Sequence, residues 1–402
     1  MLDKYAKPFM TLIVLTLIGW TGFRIYQYYT HQQAPSIWLE GIVAGGYYKE
    51  TVNAKVLANN GYKIATIDVT LDNKPFNDFT SRINSKSFSK PLTLNTAQLE
   101  DGAHELCFSI CDASLKKNKA TLTIPFNVDN ASLEAVFAEQ TLNVDQGKTA
   151  HIKIQANKKL DKVTVSCLAK SYACYQDSAE STMYECFIPI DCEEKAGQHT
   201  LVAEIFDHVG NTTKLSTYLT INAFDFPRQK GFSVDAQKLE NEKEVSMSDK
   251  ILNEAIEKWL IDSPKKKLWN GAFELPILVR KQTTPFGEIR TTPERGRYLH
   301  KGVDLINMPK SVIWASQNGK IIIKDRYLLT GNTIVIDHGL GVTTLYAHLD
   351  SFADVEVGDF VKKGNPIGKL GMSGYAAGYH LHWELRVNNI GVDPIQWTTT
   401  VY

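Results

Sequence analysis

The chain has 402 residues, 43% hydrophobic and 22% charged, with 44 basic and 44 acidic side chains. That length holds about two to four domains. The zero net charge removes any global electrostatic case for a nucleic-acid partner, and none is expected. All six cysteines fall between Cys107 and Cys192, a distribution that favours disulfides in an oxidising compartment over a metal site, with buried free thiols as the alternative.

Pro8 to Phe23 is almost wholly apolar, and Trp20, Tyr26, Tyr28 and Tyr29 lie at its far end. With its flanks the stretch reaches about 20 residues, enough to cross a bilayer as a helix with an aromatic interfacial belt. Lys4 and Lys7 precede it and only Arg24 follows closely, so the charge bias places the N-terminus inside. Residues 1–35 are therefore expected to be a cytoplasmic tip and a single-pass anchor in the inner membrane, with the rest in the periplasm or outside. A cleaved signal peptide is the rival reading.

The middle of the chain repeats. Gly102, His104, Leu106, Ile110 and Asp112 recur as Gly197, His199, Leu201, Ile205 and Asp207 at a constant offset, each set followed by a polar turn and another strand. Many short alternating strands with such a period suggest two β-sandwich modules, at 36–127 and 128–223, with a pattern that resembles bacterial immunoglobulin-like (Ig-like) domains. His104 and His199 hold the same place in both copies and read as structural. Residues 224–267 read as a linker with a short amphipathic helix at Asp249–Asp262.

From 268 to 402 the chain is strand and turn, an antiparallel β domain resembling a small barrel. Val357 to Gly368 looks like a tight hairpin over it. Tyr379 to Leu385 alternates as a strand, so His380, His382 and Glu384 share one face. His300 and Asp304 lie too far apart along a straight strand to share an ion, so the backbone must bend, and Gly302 permits that. His300 and Asp304 with one of the later histidines make a three-ligand set with a place left open for water, which is the catalytic kind of zinc site. His338 before a glycine turn reads as structural.

The combination His300-x3-Asp304, then Tyr346-Ala347-His348-Leu349, then His380-Leu381-His382 is much more specific than any one histidine. It resembles the lysostaphin/LytM-type zinc metallopeptidases, which cleave peptide bonds in bacterial peptidoglycan. The resemblance covers about 280–397, including Pro285 to Arg290 and Val392 to Ile395, and leaves the front of the chain uncovered. It implies one Zn2+ per chain held by His300, Asp304 and His382, with His348 and His380 as the catalytic pair that orients and deprotonates water. Tyr346 and Glu384 are supporting candidates, Tyr346 as an extra donor or a packing residue and Glu384 as a partner that orients His382. The expected substrate is peptidoglycan stem peptide, and the Ig-like modules are candidates for binding a protein partner. The alternative reading is a non-catalytic regulator that activates another wall hydrolase. Such a regulator would hold no stoichiometric zinc.

Overall fold

The computed structural model describes residues 3–30, 33–76, 81–229, 242–292 and 296–402, and the described chain is mainly β strand. It divides into two compact units, Met1–Ser132 with His208–Asn211 and Leu133–Asp207 with Thr212–Tyr402. Helix α1 spans Asp3–Thr30, and its apolar side chains from Met10 to Tyr29 are largely exposed. The expected span starts at Pro8, among side chains that lie outside the described residues. Among the described residues no helix is long and apolar enough to cross a membrane.

In the first unit a long strand, Thr51–Leu71, pairs with Ser36–Glu40, with Ser81–Asn95 and with β1 (Gly102–Asp112). In the second unit β2 (Gly197–Phe206) lies between Lys162–Cys167 and Thr212–Asn222. Alternation buries Leu106, Phe108 and Ile110 on β1, and Leu201, Ala203 and Ile205 on β2. The repeated residues do the same job twice. Gly102 and Gly197 share a φ of 132°, which only glycine adopts without strain. The ring of His104 bonds the Glu100 carbonyl at 2.7 Å, and that of His199 bonds the Lys195 carbonyl at 2.6 Å. Each closes the turn into its strand.

All six cysteines are free thiols, which corrects the disulfide expectation. Register explains two of them. Cys107 lies across from Thr70 and Thr123, and Cys111 across from Thr66 and Lys119, so neither faces a thiol. Cys167, Cys174 and Cys186 are buried in the core of the β2 sheet as small apolar groups. Burial pushes the Cys192 thiol up to about 12, far from the thiolate that disulfide exchange requires.

The C-terminal sheet consists, in chain order, of β3 (Lys281–Thr284), β4 (Val303–Ile306), β5 (Gly319–Tyr327), β6 (Gly331–Asp337), β7 (Val342–Phe352), β8 (Phe360–Val361) and β9 (Leu381–Val387), with shorter strands at its edges. Across the sheet they run β3-β4-β9-β7-β6-β5-β8. The expected hairpin at Val357 to Gly368 does form a turn, closed by Asn365 N donating to the Lys362 carbonyl at 2.9 Å. Its arms then part: β8 pairs with β5, and Pro366–Leu370 pairs with Val312–Trp314 and β7.

β9 sorts its residues as the alternation predicts. Leu381 and Trp383 enter the core on one side, with Tyr346 directly across from Trp383. His382, Glu384 and Arg386 point to the other side, across from Ala347, Leu345 and Thr343. Helix α2 (Glu242–Leu260) covers that side. Its Leu252 and Ile256, four apart and so on one face, are fully buried against Ile322, Ile323, Val335, Leu345 and Ala347, a burial of roughly 1.5–3 kcal/mol per side chain. Residues 230–241 of the expected linker lie outside the described residues. The remainder includes this packed helix, which starts well before Asp249.

The β2 sheet and the C-terminal sheet share a core. Phe187 joins Trp269, Phe273, Val342, Leu385, Val387 and Trp397 in one buried cluster. Helix α3 (Pro394–Thr399), capped by Asp393 accepting from Ile395 N, fixes the junction: Trp397 Nε1 donates to Thr149 Oγ1 at 3.1 Å and Thr149 N donates to Gln396 Oε1 at 2.8 Å.

Candidate metal centre

His300 ends the loop into β4, and Asp304 stands directly across from His382 in the β4–β9 register. A Cβ at Gly302 would overlap the Trp383 carbonyl, so glycine is needed there for the close approach of β4 to β9. Three donor atoms meet as a result. His300 Nε2 lies 3.1 Å from Asp304 Oδ1 and 3.0 Å from His382 Nδ1, and His382 Nδ1 lies 3.0 Å from Asp304 Oδ1. Tetrahedral ligands at zinc–nitrogen distances of about 2.0–2.1 Å stand about 3.3 Å from one another, so the triangle is the right size for one zinc ion. The other nitrogens are already engaged. His300 Nδ1 donates to the Pro285 carbonyl at 3.2 Å, and His382 Nε2 donates to Glu384 Oε1 at 2.8 Å. These bonds fix which nitrogen faces the metal position.

Electrostatics suits a cation. Burial alone would raise the Asp304 carboxyl, but bonds from His300 and His382 hold it well below the usual carboxylate range. Burial likewise raises Glu384, and Arg386, 2.6 Å away, outweighs it together with His382. Burial lowers His382, yet Asp304 and Glu384 on either side raise it to about 9. Without a cation between them, these groups keep a proton there instead.

His348 reaches the same place by an irregularity. On regular alternation it would share the core face of Tyr346. Between Tyr346 and Leu349 the pairing of β7 with β6 slips by one residue, and His348 takes a left-handed φ of 62°. This is a bulge, and it re-aims the side chain. The His348 ring then sits with centroid 4.7 Å from His380 and 6.1 Å from His382. His348 Nδ1 donates to the Ser373 carbonyl at 2.9 Å, and His380 Nδ1 donates to the Gly378 carbonyl at 2.8 Å. Both therefore present Nε2 to the centre, that of His380 lying 3.8 Å from Asp304 Oδ1. Burial, with His380 and His382 nearby, lowers His348 to about 3, so it is a neutral proton acceptor.

The seat of His348 can be tested. Gly331 has a φ of 64°, and a Cβ there would overlap the backbone of Ser373, whose carbonyl holds His348. Gly331→Ala is expected to cost roughly 1–3 kcal/mol in unfolding free energy and to lower turnover while zinc content stays at one per chain. Chemical denaturation and metal analysis on one preparation check this.

One sequence candidate, Tyr346, lies elsewhere, and His338 has the structural place expected of it. The Tyr346 hydroxyl is fully buried, bonds the Ser316 hydroxyl, accepts from Thr344 Oγ1 and belongs to the face opposite His382. His338 is buried between the Asn318 carbonyl and Thr344. Two charged residues near the ligands went unnoticed in the sequence. Arg290 bonds Thr284 at 2.9 Å and Glu288 at 3.1 Å, with Nη2 3.9 Å from Asp304 Oδ2. Arg386 was legible in principle, since it follows Glu384 by two residues on the same strand face.

An antiparallel sheet thus brings two histidines and an aspartate to one triangle that could hold a metal ion, with two more histidines over its open side. Residues 298–394 match the family model described as Peptidase family M23, and the C-terminal part of the chain is an M23 peptidase domain. The DD-carboxypeptidase/endopeptidase Mpg of Neisseria meningitidis serogroup B is 37% identical over 127 residues, which are 31% of this chain and 29% of that protein. The peptidoglycan DD-endopeptidase ShyB of Vibrio cholerae is 34% identical over 118 residues, 29% of this chain and 28% of that protein. The chain thus matches under a third of the length of these relatives. A Pseudomonas aeruginosa structure described as a peptidase M23 aligns over 63% of this chain and 94% of its own, at 22% identity and a TM-score of 0.47.

Proposed function

We propose that the chain is a zinc metalloendopeptidase that hydrolyses peptide cross-links of bacterial peptidoglycan, with one zinc ion held by His300, Asp304 and His382. The observation that carries this reading is the convergence of three ligand atoms at 3.0–3.1 Å beneath the free Nε2 atoms of His348 and His380. The similarity to Mpg and ShyB, both endopeptidases, supports the substrate class. The apolar stretch from Pro8 to Phe23 supports a single-pass anchor in the inner membrane with the catalytic domain outside the cytoplasm. In the same reading the repeated β1 and β2 sheets are Ig-like spacers between membrane and wall, with room for a protein partner.

A zinc ion in this site supplies Lewis-acid polarisation of the scissile carbonyl and lowers the pKa of a water molecule towards 7. The chain supplies the rest. His300 and His382 enter with fixed tautomers because Pro285 and Glu384 hold their outer nitrogens. His348 and His380 stand on the open side with Nε2 facing the centre. One takes the proton of the attacking water and the other, once protonated, donates to the developing oxyanion or to the leaving amine. The Tyr346 hydroxyl has no part, since it faces the core.

Purified protein loaded with zinc should solubilise peptidoglycan and release fragments cut at peptide bonds, read by mass spectrometry on two chemically different walls. A zinc-loaded protein that cuts neither wall would favour the other reading, a regulator of a second hydrolase. Retention of every ligand speaks against that alternative.

A further inference from the structure

Helix α2 lies outside the segment matched to the M23 family, yet it is hydrogen-bonded to the two segments that carry metal ligands and to the turn that holds the backbone of His348. Asp249 Oδ2 accepts from Lys301 Nζ at 3.2 Å, beside His300. Ser248 Oγ accepts from Leu328 N at 3.0 Å, and two residues on the Thr330 carbonyl accepts His348 N at 2.7 Å. Asn253 Oδ1 accepts from Arg386 Nη1 at 2.6 Å.

The third link runs straight to a ligand. Arg386 Nε donates to Glu384 Oε2 at 2.6 Å, and Glu384 Oε1 accepts from His382 Nε2 at 2.8 Å. Arg386 is 2% exposed and Glu384 4% exposed. Buried charges of this kind are held where their hydrogen bonds point them, because leaving either unpaired costs several kcal/mol. The Arg386 guanidinium is a rigid fork. Its Nε edge faces Glu384, and its Nη1 is shared by Asn253 and Asn389, the latter at 2.9 Å. Asn389 in turn donates to the Asn253 carbonyl at 3.2 Å. The angle at which Glu384 meets His382 is therefore set from α2.

We propose that Asn253 is a positioning residue for the metal ligand His382, acting through Arg386 and Glu384, and that α2 is a working part of the metal centre. The packing of Leu252 and Ile256 on the sheet places Asn253 within reach of Arg386. This inference rests on the reading of His300, Asp304 and His382 as zinc ligands.

The test uses the full chain and reads metal, with no substrate. Zinc affinity is measured by competition with a chromophoric chelator, and ligand geometry by the visible absorption of the cobalt(II)-loaded protein. N253A is expected to weaken zinc binding about 3- to 10-fold, less than the roughly 10- to 100-fold typical of a direct outer-shell partner, and to shift the cobalt bands. N253D keeps an Oδ acceptor for Arg386 and is expected to restore both. Lys250 is exposed and, among the described residues, pairs along the helix with Glu254, so K250A is expected to change neither. Native affinity and bands in N253A would overturn the proposal, as would a loss in K250A equal to that in N253A. If N253A does not fold, R386K takes its place: it keeps the charge beside Glu384 but cannot bridge to Asn253, and native values there would also overturn the proposal. Absence of zinc from the unmutated chain is a separate failure, that of the ligand assignment.

Discussion

His382→Ala is expected to leave the chain without stoichiometric zinc, while His380→Ala keeps its zinc and loses turnover. The two imidazoles are two residues apart on one strand face, and from that alone they look equivalent. Their surroundings differ. His382 Nδ1 is one corner of the triangle with His300 and Asp304, and its Nε2 is held by Glu384. His380 approaches Asp304 only to 3.8 Å and is fixed by a backbone carbonyl. Removing a corner leaves two protein ligands, and zinc affinity should fall by more than about 1,000-fold, well past the roughly 10- to 100-fold cost of losing an outer partner. Removing His380 takes away a proton carrier, with a loss of about 100- to 10,000-fold in kcat and a change in zinc affinity of less than about threefold. Metal analysis and turnover on the same two preparations decide it. Equal zinc loss in both variants would show that His380 is a ligand.

Zinc binding is expected to strengthen as pH rises, by about tenfold per pH unit below pH 9, and then to level off. In the metal-free protein Asp304 and Glu384 keep His382 protonated to about 9, against the effect of burial. Zinc takes the neutral nitrogen, so binding must expel that proton. The other ligands do not compete: burial lowers His300 and its neighbours lower Asp304, so both are ready for metal at neutral pH. For the metal-free fold the sign is opposite. A histidine whose pKa is raised on folding stabilises the fold fully below about 6.5, and that stabilisation is lost as pH rises through 9. Raising the pH should therefore lower the melting temperature through this group without zinc and widen the gap between metal-free and zinc-loaded protein. Competition titrations from pH 6 to 9 and calorimetry in two buffers of different ionisation enthalpy measure the slope and the proton count. A pH-independent affinity would show that His382 is not the proton holder.

The sequence by itself determined the chemistry of the centre and much of its layout. His380, His382 and Glu384 share a face because a strand has a period of two, and that holds wherever the strand lies. Asp304 and His300 follow from their spacing and from the pattern around them, and Glu384 was found as a candidate partner by counting two residues on. Local rules failed where a neighbouring strand or helix decides. His348 reaches the centre only because the pairing of β7 with β6 slips by one residue, and a bulge is a property of two strands together. Tyr346, next in the same motif, was sent to the core by the same register. Cys107 and Cys111 have no thiol across from them because cross-strand partners, invisible in the one-dimensional pattern, are threonine and lysine. Helix α2 looked like a linker because its amphipathic stripe says that something is buried without saying against what. The tertiary structure laid it on the outer face of the peptidase sheet, where Asn253 meets Arg386.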